Sequence, residues 1–395
     1  MLVARVLWGT DLDCSYPLLV PALEPVSPLR FTVEELPEAA VALRAEVRAF
    51  LAEELAGGAF VPRCDAWLSG SDPAFSRRLG ERGWLGMTWP KRYGGQERSA
   101  LERYVVVEEL LAAGAPVAAH WIADRQTGPL LLRYGTEEQR MRFLPGMARG
   151  EVQFAIGMSE PDSGSDLASV RTTAKRVEGG WSLDGTKVWT SGAHLADAMI
   201  TLVRSEPLGD DRHLGLSQVI VDLKGAGVEI RPIRLLTGEH HFNEVILRDC
   251  FVPDGMVVGN LGEGWKQVTS ELAYERSGPE RFLSTFPLLA ALSAASGSAA
   301  VGRLAAELWA LRRLSLAVAA ALQRGEEPAV EAALVKDLGT RFEREVTERS
   351  RAIHGGEPSH PLFEHYRRSL LEGPGFTLRG GTNEVLRSVV ARSLR

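Results

Sequence analysis

No apolar run in this chain approaches the ~18–20 residues that a bilayer-spanning helix needs, so the pattern gives no membrane span. Cysteine is scarce, with 3 in 395 residues. Cys14, Cys64 and Cys250 stand far apart without CxxC spacing, which excludes a disulfide framework and a cysteine zinc site. They read as incidental thiols of a reducing compartment. There is no basic excess: 45 Lys+Arg stand against 51 Asp+Glu, a net charge of −6, which argues against nucleic acid as a partner. Lysine occurs only at positions 91, 175, 187, 224, 266 and 336 while arginine is abundant, a bias attributed to base composition. The apolar start is too short for a signal peptide and meets Asp11 and Asp13 at once, so a cytoplasmic protein is expected. GxGxxG after a strand, GxxxxGK[ST], HExxH and GxSxG are all missing. His240-His241 lacks a third ligand at metal spacing, so no metal is expected and solvated loop histidines are the default.

What is present is an ordinary globular composition, 45% hydrophobic and 24% charged, long enough for two or three domains. Residues 1–30 carry four prolines and no period, and read as an irregular extension. Helical patterns begin at Thr32 and recur at 73–82, 98–113, 124–133 and 136–148; Thr136 and Gln139 form a capping-box pattern. After Gly150 the pattern turns to short β-rich runs at 152–159, 170–177, 181–190, 198–204, 216–223, 228–236 and 243–248. Gly-Gly (179–180) and Asp-Gly (184–185) read as hairpin turns. From Gly262 helices return, at about 265–277, 286–324, 328–354, 360–372 and from Thr382. The expected division is 1–30, an α-helical 31–150, a β-barrel or sandwich at 151–258 and a helical 259–395.

Three segments carry candidate chemistry. Met158-Ser159-Glu160-Pro161-Asp162-Ser163-Gly164-Ser165-Asp166 follows a buried strand (Phe154, Ile156, Met158), and its glycine and hydroxyls let backbone N–H groups approach an anionic or carbonyl ligand. Trp189 beside Thr190 and Ser191 adds an aromatic wall next to hydrogen-bonding groups. Alone, the first is equally a strand end, turn and N-cap, and a lone Trp is more often core. Glu275-Arg276 ends a helix before Gly278-Pro279; a desolvated glutamate there would be a proton acceptor, against the commoner solvated Glu-Arg pair. Gly380-Gly381 opens a helix at Thr382-Asn383-Glu384, whose free N–H groups suit a phosphate or carbonyl oxygen, or form only a capped glycine turn.

Together with Arg133–Arg140, Gly185–Ser191, Phe242–Val245, Val252-Pro253 and Gly262–Trp265, these segments resemble the acyl-CoA dehydrogenase family over about residues 32–395, in the family's order. The resemblance implies an α+β fold: an N-terminal helical domain, a central β-barrel and a C-terminal four-helix bundle, with FAD between barrel and bundle. It implies that Ile156, Met158, Ser159, Trp189 and Ser191 line the flavin ring, that Gly164 and Ser165 lie near flavin and substrate, and that Thr382 and Glu384 contact FAD. The family's base occurs at one of two places; Gly380 occupies one, so the resemblance assigns it to Glu275. Arg276 would position CoA, and the Gly380 N–H with a ribityl hydroxyl would polarise the thioester carbonyl. The reaction implied is α,β-dehydrogenation of an acyl-CoA to trans-2-enoyl-CoA, with an electron-transfer flavoprotein as acceptor. Same-fold alternatives are an acyl-CoA or nitroalkane oxidase, and a non-catalytic subunit that completes a partner's FAD site.

Two departures matter. The Arg-x-x-Phe-Gly motif, whose arginine reaches a neighbouring subunit's FAD diphosphate, is missing between Phe282 and Leu322. Of Gln-x-x-Gly-Gly-x-Gly only the paired glycines Gly355 and Gly356 remain as candidate FAD contacts. This pattern resembles the base-bearing subunit of actinobacterial heteromeric members, which implies an α2β2 assembly with a homologous chain, against a homo-oligomer.

Overall fold

The computed structural model describes residues 29–32, 34–354 and 357–394, and of 271–275 and 354 only the backbone. The expected extension therefore lies, up to residue 28, outside the described residues. In chain order the α-helices are α1 (Glu38–Ala56), α2 (Ala66–Ser69), α3 (Pro73–Glu81), α4 (Ala100–Ala112), α5 (Ala118–Ile122), α6 (Gly128–Tyr134) and α7 (Glu137–Ala148), followed after the strands by α8 (Gly264–Arg276), α9 (Phe286–Ala295), α10 (Ala299–Gln323), α11 (Ala329–His354), α12 (Phe363–Phe376) and α13 (Asn383–Ser393). The strands are β1 (Phe154–Gly157), β2 (Thr173–Val177), β3 (Gly180–Ser191), β4 (Ala198–Arg204), β5 (Leu216–Asp222), β6 (Val228–Ile233), β7 (Phe242–Pro253) and β8 (Val257–Val258). The chain packs as two compact units: residues through Asp65, Ala100–Gly114 and from Arg276 onward form one, and Ala66–Ser99 with Ala115–Glu275 the other.

In the second unit the strands form one sheet in the order β6-β7-β3-β2-β4-β5-β8, with β1 parallel to β4. Its pleat sorts side chains to two faces. One face buries Leu183, Met199, Val203, Val219, Val245 and Leu247. Ile200, Ile220 and Val258 pack with Phe154 against Leu130, Leu131, Phe143 and Leu144. With apolar neighbours on both sides, β4 is buried along its whole length, which is why its sequence, Ala-Met-Ile-Thr-Leu-Val-Arg, does not alternate. The capping box at α7 is formed, Gln139 N donating to Thr136 Oγ1 (3.2 Å) and Thr136 N to Gln139 Oε1 (3.1 Å). The same glutamine amide donates to the carbonyls of Gly255 (2.9 Å) and Val257 (2.8 Å), tying this helix to the sheet.

Two local expectations are corrected. Asp184-Gly185 is no hairpin turn but a bulge inside β3, with a register shift between Leu183 and Gly185. A Cβ at Gly185 would lie 2.3 Å from Thr172 Oγ1, so a neighbouring segment, not a turn, demands the glycine. The run 286–324 is two helices, because Ser298 caps α10 by accepting from Val301 N at 3.4 Å.

The other unit is helical. Ala40, Leu43, Val47 and Phe50 form the buried stripe of α1 at helical spacing. Arg44 and Arg48 on the same helix reach Glu108 and Glu109 of α4 at 3.1 and 3.0 Å, and Arg312 of α10 reaches Glu108 at 2.7 Å. These carboxylates are buried, which α1 and α10 make tolerable by supplying cations.

Candidate active site

On the sheet side, the loop after β1 is held by one ion pair. Glu160 Oε1 accepts from Lys187 Nζ of β3 at 2.7 Å, from Thr172 N at 2.9 Å and from Thr172 Oγ1 at 2.6 Å, while Oε2 accepts from Arg171 N at 2.6 Å. Lys187 is wholly buried and also donates to the Met158 carbonyl at 3.2 Å. Burial would raise the Glu160 carboxyl, but Lys187 and the other donors outweigh it and hold it below the usual carboxylate range; burial pulls the Lys187 amine down to about 8 despite its partner. Val188 N donates to Ser159 O at 2.9 Å. The two halves of the sequence signal, 158–166 and 185–191, are thus joined by covalently distant groups. Glu160 and Ser163 exchange backbone hydrogen bonds at 2.8 and 3.0 Å, closing the loop on itself.

Ile156, Met158, Ser159 and Ser191 are half-buried, and Gly164 and Ser165 are exposed. The β3–β7 register shifts again between Lys187 and Thr190, and Trp189 sits in that bulge with φ 59°. The bulge turns its ring outward, leaving the side chain 56% exposed and edge-on to Phe242 at 5.7 Å. Asn243 of β7 fixes this geometry by donating to Thr190 O at 3.0 Å, and His240 bonds Asn243 Oδ1 at 2.8 Å. The histidine pair is therefore not a solvated loop: His240 stacks on His194 and His241 is buried.

On the helical side, Gly380 and Gly381 take φ 68° and 85° before Thr382, which caps α13 by accepting from Val385 N at 3.4 Å. A Cβ on Gly380 would lie 2.7 Å from Arg281 Nη2, and one on Gly381 3.4 Å from Arg276 Nη2. Arg276 is buried against this turn, not solvated at a helix surface. Among the described residues the Gly380 N–H meets no hydrogen-bond acceptor, so this donor at the mouth of a helix is left for another group. Thr382 is half-buried and Glu384 exposed. The Glu275 side chain lies outside the described residues, as do Gly355 and Gly356; the Glu275 backbone is in the last turn of α8.

Models of the N-terminal, middle and C-terminal acyl-CoA dehydrogenase domains match residues 37–151, 155–250 and 292–395. The chain belongs to the acyl-CoA dehydrogenase family. Its fold is that family's, with an N-terminal helical domain, a middle β domain and a C-terminal helical domain, and it is an oxidoreductase of the acyl-CoA dehydrogenase type. It is similar to the acyl-CoA dehydrogenases IpdE1 and FadE29 of Mycobacterium tuberculosis (strain ATCC 25618 / H37Rv). The first is 34% identical over 370 residues, 88% of this chain and 95% of that one. The second is 35% identical over 347 residues, 81% and 87%. Among solved structures it is similar to the "Tcur3481-Tcur3483 steroid ACAD" (TM-score 0.80, 31% identity, covering 91% of this chain and 98% of that chain). It is also similar to the ChsE4-ChsE5 complex from Mycobacterium tuberculosis (TM-score 0.76, 29% identity, 92% and 98%).

Membership in this family implies flavin binding, and the residues present fit such a ring. A large aromatic side chain, Trp189, is presented to solvent, the Thr190 hydroxyl is buried without a hydrogen-bond partner among the described residues, and a Cβ on Gly164 would meet nothing within 4 Å. An apolar wall, a waiting hydroxyl and an open loop suit a flat, polar-edged heterocycle. Among the described residues no helix is long and apolar enough to cross a membrane. The sequence reading passed over Glu160 and Lys187 as supports, and Lys336 and Glu343 on the helical side. Lysine scarcity was the one available signal: Lys187 and Lys336, two of only six lysines, are both 0% exposed.

Proposed function

We propose that this acyl-CoA dehydrogenase removes the α-proton of a CoA thioester with Glu275 and polarises the thioester carbonyl through the Gly380 N–H. The observation that supports the reading is the glycine turn itself: the Gly380 N–H has no acceptor among the described residues, and the Arg276 guanidinium lies against Gly381. A thioester α-proton is weakly acidic, so a fixed donor aimed at the developing oxyanion lowers the barrier most. A carboxylate at Glu275 then takes the proton. Arg276 orients the CoA portion. Ile156, Met158, Ser159, Gly164, Ser165, Trp189, Ser191, Thr382 and Glu384, with Gly355 and Gly356, are the residues proposed to hold FAD. When bound, the flavin supplies the hydride acceptor. An electron-transfer flavoprotein is the proposed oxidant.

The proposed substrate is the CoA thioester of a bulky steroid-derived or branched acid, supported by the printed title of the steroid ACAD structure. The proposed assembly is α2β2 with a homologous chain that supplies the missing arginine, supported by the paired-chain titles of the similar structures. The chain should be expressed alone and with a homologous neighbour, then given acyl-CoA thioesters with an artificial acceptor or with oxygen. Turnover with the acceptor and FAD retention only in the mixed complex are expected. A fully flavinylated homotetramer, or oxygen as the better oxidant, would overturn the assembly or the dehydrogenase assignment respectively.

A further inference from the structure

The glycine turn has a support that the proposed reaction does not name. Lys336, on α11, is 0% exposed. Its Nζ donates to the Gly381 carbonyl at 2.7 Å, to Asn383 Oδ1 at 2.7 Å and to the Thr377 carbonyl at 3.3 Å. These acceptors span the whole of the loop between α12 and α13. Asn383 N closes the loop on Thr377 O at 3.1 Å, and Thr340, one turn along α11 from Lys336, also donates to Asn383 Oδ1 at 3.2 Å.

A buried cation near a helix N-terminus and two guanidiniums is disfavoured: burial, then Arg281 and Arg379, outweigh the carboxylates of Glu343 and Asp337 and push the Lys336 amine down to about 7. Such a group persists only where its hydrogen bonds are needed. Three N–H donors meeting three acceptors match an ammonium fully, and a Gly-Gly turn has the backbone freedom that most needs restraint.

We infer that Lys336 is a positioning residue that fixes the Gly380–Gly381 turn and thereby aims the Gly380 N–H. The inference rests on the proposed role of that N–H.

The test compares flavin-loaded wild type, Lys336→Met and Lys336→Arg by hydrogen–deuterium exchange of the peptide 377–386 and by steady-state kinetics. The probes are straight-chain C4 to C16 acyl-CoAs and cholanoyl-CoA. Loss of a hydrogen bond to a charged donor predicts exchange about tenfold faster in that peptide for Lys336→Met, with sheet peptides unchanged. It also predicts kcat down about tenfold with KM within about threefold, partly restored by Lys336→Arg. Unchanged exchange overturns the inference. So does faster exchange with unchanged kcat, because the lysine then holds the loop without serving the reaction. If Lys336→Met does not fold, Asn383→Ala must show the same local acceleration or the inference fails. If wild type turns over none of the probes, the functional reading falls, and the exchange comparison alone upholds or overturns the brace.

Discussion

Replacing Lys187 by Met tests the account of how the sheet-side loop is assembled. The substitution keeps volume and removes the amine, leaving Glu160 buried with the Arg171 N–H at 2.6 Å and the Thr172 N–H at 2.9 Å as its backbone donors. Removing one partner of a buried pair costs about 3–5 kcal/mol. The surviving donors, with the Thr172 hydroxyl at 2.6 Å, solvate the carboxylate in part, which places the expectation at about 3 kcal/mol. At ~2–4 °C per kcal/mol for a unit of this size, the melting temperature followed by tryptophan fluorescence should fall by about 6–12 °C. The double variant Lys187→Met, Glu160→Gln should recover part of this, because the orphaned charge is gone. The pH dependence has a definite sign. Glu160 is held below its ordinary pKa, so the stability it contributes is present above the unfolded carboxylate value of about 4.3 and is lost as pH falls through the lower folded value. Lys187→Met should weaken that acid-range dependence. A melting temperature within about 2 °C of wild type, or a double variant less stable than Lys187→Met, would refute the reasoning.

Further expectations concern the helical unit and the assembly. Gly380→Ala forces a side chain into the left-handed region at φ 68°, with its Cβ 2.7 Å from Arg281 Nη2; it should cost about 1–2 kcal/mol of stability and about 10²-fold in kcat, measured by melting and turnover. Glu343 is fully buried, and burial raises its carboxyl to about 7 despite Arg379 and the Ser284 N–H at 2.8 Å. A raised acid pKa means that the folded state keeps a proton the unfolded state has lost, so stability falls as pH rises from about 4.5 to 7. Glu343→Gln should flatten that decline and be more stable at pH 8, by on the order of 2–3 kcal/mol; an unchanged pH–melting profile contradicts it. Size-exclusion of the chain alone should give a flavin-poor species that gains flavin when the partner chain is added.

Much of the fold was legible because its signals are local. Thr136 and Gln139 announce α7 by residues three apart, and the apolar spacing of Leu43, Val47 and Phe50 announces α1. Asp184-Gly185 misled because its local composition is that of a turn, while the cause of the glycine, Thr172, lies in a distant segment just before β2. The split at Ser296–Ser298 was legible in principle, since Ser298 is an ordinary N-cap. Family motifs marked the loop around Ser163–Ser165 and the Trp189 segment, but not what holds them. Lys187, Lys336 and Glu343 sit in patterns where a charged residue ordinarily faces water, and only packing from distant segments makes them interior. Asn243 was noticed as part of a motif, yet its work of fixing the bulge at Trp189 depends on a pairing with β3 that periodicity does not specify.

Glu275 is proposed to take the thioester's α-proton. Wild type and Glu275→Gln, each carrying flavin, should be mixed anaerobically with a turnover-competent acyl-CoA while flavin absorbance is followed. Rapid bleaching is expected in wild type and a rate at least about 10²–10⁴-fold slower in the variant, with the resting flavin spectrum unchanged. Bleaching at the wild-type rate in Glu275→Gln would contradict it.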